Sequence, residues 1–243
     1  MQGGCLSTGY DLPRWQTLSA QRYPGQQRGC SRWQARCHDL DVTRDGILGI
    51  DPREEGLIRL DFTTLFGNQR TVVLEIGSGK GRFLLTRASE DPSANIIGIE
   101  KSLHYYRVII DRVRRRGLHN IRVINYDAQP VLAEMIPAES LAETHIYFPD
   151  PWPRPREQKR RIIRPDVVEH LQRVLAPEGV GYFVTDHRGY FDSSVPVLEQ
   201  AFEVTSGTPP DDAPSRTNYE AKYREQGRPI FQIVFKKRKE SAS

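Results

Sequence analysis

Glu75-Ile76-Gly77-Ser78-Gly79-Lys80-Gly81 is the first group of residues whose types and spacing suit chemistry. It follows the apolar run Val72-Val73-Leu74, which reads as a buried strand. Three glycines at alternate positions let a backbone turn sharply and approach a ligand in conformations that a Cβ forbids. The spacing is GxGxG, not the GxGxxG of pyrophosphate binding, and an acid stands ahead of it. A carboxylate in that place opposes a pyrophosphate and suits a ligand with a cationic amino-acid moiety. The glycines alone fit a plain strand-to-helix turn equally well.

Two more apolar runs end on acids. Ile96-Ile97-Gly98-Ile99 leads to Glu100, an acid placed to accept hydrogen bonds from both ribose hydroxyls of a nucleoside. Ile121 to Asn125 leads to Asp127, whose carboxylate can accept from an adenine amino group. Acids at three successive strand ends point to a nucleoside carrying positive charge. S-adenosylmethionine, with an ammonium and a sulfonium, fits that description. A fourth run, His145 to Phe148, enters Pro149-Asp150-Pro151-Trp152-Pro153. The prolines stiffen this loop and hold an acid and an indole in fixed orientation. An indole face stacks on a nucleobase for ~1–3 kcal/mol. A rigid turn with Trp152 packed inward is the other reading.

Arg154, Arg156, Lys159, Arg160, Arg161 and Arg164 follow at once, against the single acid Glu157. A second basic stretch runs from Lys101 to Arg122, and Lys236-Lys237-Arg238-Lys239 lies near the C-terminus. The formal net charge is only +4, because acids are concentrated elsewhere. Basic blocks beside a base-stacking loop suit the neutralisation of phosphates, so nucleic acid is the expected partner.

These residues need a scaffold. Gly81 to Ala88 reads as a helix, and Leu103, Tyr106, Ile109, Ile110 and Val113 define the apolar face of another that closes at Gly117. Pro165 opens a helix through Val168, Leu171, Val174 and Leu175, which Pro177-Glu178-Gly179 stops. Gly181 to Thr185 reads as a strand, Val195 to Ala201 as a helix, and Phe231 to Phe235 as the last strand. The alternation predicts right-handed βαβ crossovers and a doubly wound α/β fold, with helices on both faces of a mostly parallel sheet.

The chain has 243 residues, of which 37% are hydrophobic and 27% charged, enough apolar surface to exclude wholesale disorder. No apolar run approaches the ~18 residues of a membrane helix, and no secretory signal is visible, so a cytoplasmic location is expected. Cys5, Cys30 and Cys37 read as free thiols. A zinc site built on Cys30, Cys37 and His38 lacks a fourth ligand, and no metal is expected. Residues 1–45 lack sustained periodicity and read as a flexible tail, leaving residues 46–243 as the folded domain. His187 is placed either near the site or on the surface.

From about Leu60 to Lys237 the chain resembles the bacterial tRNA (guanine-N7-)-methyltransferases of the TrmB type. Three blocks carry the likeness: Leu74 to Gly81; Phe148 to Pro153 with Lys159-Arg160-Arg161-Ile162; and Thr217-Asn218-Tyr219-Glu220 with Lys222 and Gly227. The resemblance implies a seven-stranded class I methyltransferase fold, S-adenosylmethionine as cofactor and the variable-loop guanine of tRNA as substrate. It assigns Glu75, Gly77, Gly79, Gly81, Glu100, Asp127 and Asp150 to the cofactor, with Asp150 also at the catalytic position. Arg154, Asp186 and Thr217 to Glu220 then fall to the substrate. Arg154 stands where the family usually has lysine, which keeps the charge and changes the donor geometry. No obligatory protein partner is evident.

Two rivals fit parts of the pattern. An exocyclic amine methyltransferase needs adjacent prolines after its acid or amide, whereas Asp150 sits between Pro149 and Pro151. An RNA-binding module that has lost catalysis needs degenerate cofactor motifs, and here Glu75, the glycines, Glu100 and Asp127 are intact.

Overall fold

The apolar runs become strands that are buried along their whole length. In a computed structural model, which describes residues 42–43, 46–209 and 215–238, Val72–Ile76 (β4), Asn95–Ile99 (β5) and Ile121–Ile124 (β6) are covered at every position. Strands rich in Val and Ile and buried at every position belong to a parallel sheet covered on both faces. Val42–Thr43 (β1) and Gly46–Ile47 (β2) form a small antiparallel pair. The remaining strands are Gly49–Ile50 (β3), Leu141–Tyr147 (β7), Leu175–Thr185 (β8), Phe202–Gly207 (β9) and Phe231–Lys237 (β10).

These form one eight-stranded sheet in the order β3-β6-β5-β4-β7-β8-β10-β9. All pairings are parallel except those of β10, which is antiparallel to both β8 and β9. Ile76 pairs with Ile99 and Ile146, Ile99 pairs with Ile124, and Tyr147 pairs with Val184. This register aligns the carboxyl ends of the central strands along one edge. The chain runs outward from β4 through β5 and β6, then resumes on its other side with β7. That reversal is the switch point at which open α/β sheets bind ligands.

Helices Arg82–Glu90 (α3) and Leu103–Arg116 (α4) cover one face, where Phe83, Leu84, Ile109 and Val113 pack on Val73, Ile96 and Val123. Pro165–Val174 (α6) and Arg188–Leu198 (α7) cover the other, with Leu171 and Tyr190 packed among Leu74, Ile97, Ile146 and Phe183. Pro52–Glu55 (α1), Phe62–Phe66 (α2) and Ala128–Pro130 (α5) are short, and Asn218–Glu225 (α8) precedes β10.

The sheet gains the two-residue edge strand β3 beyond the seven expected, and β9 and α8 complete the C-terminal part. Strand β8 begins at Leu175, so Pro177 and Gly179 lie inside a strand, beside a register shift between Leu141 and Glu143. Helix α7 begins at Arg188, because His187 caps it by accepting the Tyr190 N–H at Nδ1, 3.1 Å away. Leu103, assigned to the apolar face of α4, is 41% exposed, whereas Tyr106, Ile109, Ile110 and Val113 are buried. The expectations for residues 1–45, including Cys5, Cys30, Cys37 and His38, lie outside the described residues apart from positions 42 and 43. Among the described residues, no helix is long and apolar enough to cross a membrane, and no cluster of His, Cys, Asp and Glu has a metal-binding arrangement.

Candidate active site

The turn after β4 is built on left-handed backbone. Gly77, Gly79 and Gly81 have φ of 78°, 51° and 72°, a region costly to any residue with a Cβ. Gly81 is doubly constrained, since a Cβ there would lie 2.9 Å from Ile109 Cγ1 of α4. At Gly77 and Gly79 a Cβ would meet nothing within 4 Å, so this stretch forms an open cradle.

Glu75 lies just before the cradle. It is 2% exposed, and its Oε2 is buried without a hydrogen-bond partner among the described residues. Burial pushes its carboxyl up to about 8, the Ser78 hydroxyl tempers the shift, and the charge of Glu100 adds to it. An orphaned buried acid is unfavourable unless something else answers it. A ligand cation would do so, and S-adenosylmethionine carries two.

Glu100 is used by the backbone. Its Oε2 accepts the Gly79 N–H at 2.7 Å and its Oε1 accepts the Ser102 N–H at 2.7 Å. The side chain therefore pins the glycine turn to the start of α4, and each oxygen keeps a further lone pair for a ribose hydroxyl. Burial raises its pKa against those two amides, with Asp150 contributing in the same direction as burial. Asp127 caps α5 through the Gln129 N–H at 3.1 Å and pairs with Lys101 at 2.7 Å. Burial acts to raise its pKa, but Lys101, the Gln129 amide and Arg164 outweigh it and hold the carboxyl below its usual range. Its ligand-facing capacity is correspondingly reduced.

The Pro-rich loop is strained on both sides of Asp150. Phe148 has φ 48° and Trp152 has φ 41°, each costing ~1–3 kcal/mol for a residue with a side chain. Asp150 between them is exposed. The loop is held from below by Arg161, which is 6% exposed. Its Nε donates to the Pro151 carbonyl oxygen at 2.9 Å, one terminal nitrogen donates to Ser193 Oγ at 2.8 Å, and the guanidinium lies over the Tyr190 ring. Arg161 is thus a buried brace and not one of the phosphate-facing cations that its place in a basic run suggests. Arg164 is likewise engaged, with Asp166, the Lys159 carbonyl and Gln129. Arg154, Arg156, Lys159 and Arg160 remain exposed, and Arg160 covers the Trp152 ring at 4.7 Å.

The C-terminal segment divides into anchors and exposed groups. Thr217 caps α8 by accepting the Glu220 N–H at 3.0 Å, and Glu220 reaches back to the Arg216 N–H at 2.8 Å, a variant of the capping box. Glu220 is fully buried between Arg216 and Arg224. Asn218 and Tyr219 are exposed, and Tyr219 lies close enough to Asp150 and Glu100 for their charges to add to the burial that raises its hydroxyl pKa. Asp186 is turned toward Arg228, with which it forms an ion pair. The fold therefore gathers Glu75, Glu100, Asp150 and Tyr219 into one electrostatic neighbourhood, while Asp127, Asp186, Thr217 and Glu220 have partners within the chain.

A buried polar chain underlies the site and has no motif in the sequence. Burial lowers the His145 pKa against the opposing pull of Glu143, whose own carboxyl the His145 contact holds down. The ionised Glu143 can only accept, so His145 Nε2–H donates to it at 2.8 Å, and Nδ1 accepts the Tyr147 hydroxyl at 2.8 Å. Arg216 donates to the same hydroxyl at 3.5 Å, and Arg87 pairs with Glu143 at 2.9 Å. The alternation of Glu143, His145 and Tyr147 along β7 was the only available signal.

Residues 69–233 match a family model described as "Putative methyltransferase". A tRNA (guanine-N(7)-)-methyltransferase of Psychromonas ingrahamii is 37% identical over 195 residues, covering 78% of this chain and 79% of the relative. One of Aeromonas hydrophila is 36% identical over 197 residues, covering 79% and 82%. Among solved structures, a 30S ribosomal A1408 methyltransferase from an uncultured bacterium aligns with a TM-score of 0.53 at 18% identity, covering 81% of this chain and 98% of the other. The aminoglycoside resistance methyltransferase NpmB1 aligns with a TM-score of 0.53 at 18% identity, covering 74% and 98%. These structures share the fold, and the sequence relatives identify the lineage: the chain belongs to the TrmB-type tRNA (guanine-N7-)-methyltransferase family.

Proposed function

We propose that this protein transfers a methyl group from S-adenosylmethionine to N7 of the variable-loop guanine of tRNA, in the cytoplasm. One observation carries the reading. The unpartnered buried carboxyl of Glu75 lies next to the left-handed glycine turn, near Ser78 and Glu100, on the side of the sheet where a braced loop presents Asp150. When bound, the cofactor supplies an electrophilic methyl on a sulfonium. Glu75 answers its positive charge, the glycine turn admits its amino-acid end, and Glu100 offers lone pairs to the ribose.

Guanine N7 has an in-plane lone pair and no proton to lose, so the chain needs no strong general base. Its task is alignment, which is proximity catalysis. Asp150 lies exposed on a loop whose position is fixed by Arg161. Its carboxylate offsets the positive charge that the methylated base acquires. Trp152, Tyr219 and the exposed cations Arg154, Arg156 and Lys159 supply ring faces and charge for the RNA around it.

The test is transfer of labelled methyl to an unmodified tRNA transcript, with a control transcript carrying adenine at the variable-loop guanine. Label recovered as N7-methylguanine from the first transcript alone is the expected result. Equal labelling of both, or label in an N6- or N4-methylated base, overturns the reading.

A further inference from the structure

We propose that an arginine-lined cleft between α3, α4 and α8 grips the tRNA backbone at phosphates away from the reacting base. This inference rests on the function proposed above and adds a surface to it. The cleft has a volume of about 610 Å³ and is lined by Arg82, Leu85, Thr86, Arg112, Arg115, Arg116 and Asn218. No acid is among these residues. Arg112, Arg115 and Arg116 fall at i, i+3 and i+4 on α4, beside the buried stripe of Tyr106, Ile109, Ile110 and Val113, so they neighbour one another on one flank of the helix.

Helix stability accounts for part of this cluster and leaves the rest unexplained. Basic residues in the last turn of α4 complement the helix dipole. Arg82 occupies the first turn of α3, where the dipole disfavours a cation. Arg112 lies before the last turn and donates to the Lys80 carbonyl at 2.7 Å, which ties the cleft wall to the cofactor turn. Arg82 makes a 3.4 Å contact with Asn218 Oδ1, which closes the cleft toward α8. Arg115 is paired with Asp111. Arg82, Arg112 and Arg116 share the space with no acid among the described lining residues, so their like charges repel one another, and a polyanion relieves that repulsion.

The occupant that fits is RNA. The guanidinium fork matches phosphate geometry, and arginines drawn from two helices suit a chain of phosphates better than a single anion. A protein partner would need an apolar or aromatic anchor at the centre, and the one large apolar side chain in the lining, Leu85, is 2% exposed. The cleft also adjoins the site, because Asn218 lines it while its neighbour Tyr219 lies in the field of Asp150.

The experiment compares wild type with Arg115→Ala/Arg116→Ala in the full-length protein. Arg112 is left intact because it contacts the cofactor turn. Unmodified tRNA binding is measured across a series of KCl concentrations, together with S-adenosylhomocysteine binding, Tm and kcat at saturating tRNA. The expected result is weaker tRNA binding and a log–log salt slope shallower by about 1 to 2, with cofactor binding, Tm and kcat unchanged. Unchanged tRNA affinity and slope, with wild type active, overturn the cleft as an RNA surface. Wild type that binds the cofactor but methylates no tRNA overturns the function reading beneath it.

Discussion

Arg161 Nε donates to the carbonyl oxygen of Pro151 at 2.9 Å, so a buried cation holds the loop that presents Asp150. The same guanidinium reaches Ser193 and stacks on Tyr190, both on α7. Left-handed conformations at Phe148 and Trp152 persist only where the surroundings over-determine them. This brace, together with the Phe148 N–H donating to the Val184 carbonyl at 2.7 Å, does so.

Arg161→Ala is therefore expected to lower kcat strongly while cofactor affinity changes little. Leaving the buried acceptors unmet costs about 1–3 kcal/mol of stability. Arg161→Lys is expected to restore little of the activity, because an ammonium cannot reproduce the fork. Steady-state kinetics and thermal melts check both, and wild-type kcat in Arg161→Ala removes the brace from the argument.

Asp150 is exposed, so its replacement is expected to leave stability within about 0.5 kcal/mol. Asp150→Ala should lower turnover by ~10²-fold or more. Asp150→Asn keeps a hydrogen-bond acceptor and loses the charge. If the carboxylate offsets charge on the base, Asn should fall as far as Ala; an active Asn variant would show that hydrogen bonding is what matters.

The Glu75 carboxyl, pushed up to about 8 by burial, makes stability depend on pH with a definite sign. From about 4.5 to 8 the folded protein holds a proton that the unfolded chain has released, so stability falls as pH rises through that window. Glu75→Gln removes this dependence. Its Tm relative to wild type should rise between pH 5 and pH 9, while S-adenosylhomocysteine binding is lost. A Tm difference that does not move with pH would sink this account of Glu75.

Glu220 and Tyr219 are adjacent and should behave differently. Glu220→Ala takes the carboxylate from Arg216 and Arg224 inside the protein, at a cost of about 3–5 kcal/mol. Tyr219, 53% exposed, has little to lose on the stability side. Tyr219→Ala should keep the wild-type Tm and raise the KM for tRNA. Equal effects of the two substitutions on Tm would contradict this division.

The local features were legible in the sequence because they depend on the backbone of a few consecutive residues. Left-handed φ at Gly77, Gly79 and Gly81 is allowed by residue type, and the stiffness of the loop around Asp150 follows from its prolines. Strands β4, β5 and β6 announced themselves by dense apolar runs, interrupted by Glu75 and Arg122, since both of their faces are covered. Strand β9 alternates poorly and is largely exposed at the sheet edge, so it carried no such signal. The cap at His187 hid the true start of α7.

What only the tertiary structure decided is which charges are spent and which are available. Arg161 and Arg154 belong to one basic run, yet one is buried as a brace and the other is exposed. Asp127 and Asp186 lie at strand ends as Glu75 does, yet they meet Lys101 and Arg228 while Glu75 meets no counter-charge among the described residues. The physical reason is that a side chain's charge is answered by neighbours in space. Those neighbours are set by a strand order that inserts β10 between β8 and β9 and places β7 beside β4. Residue types and spacing specify the groups at the ends of the strands; the topology assigns each of them its partner.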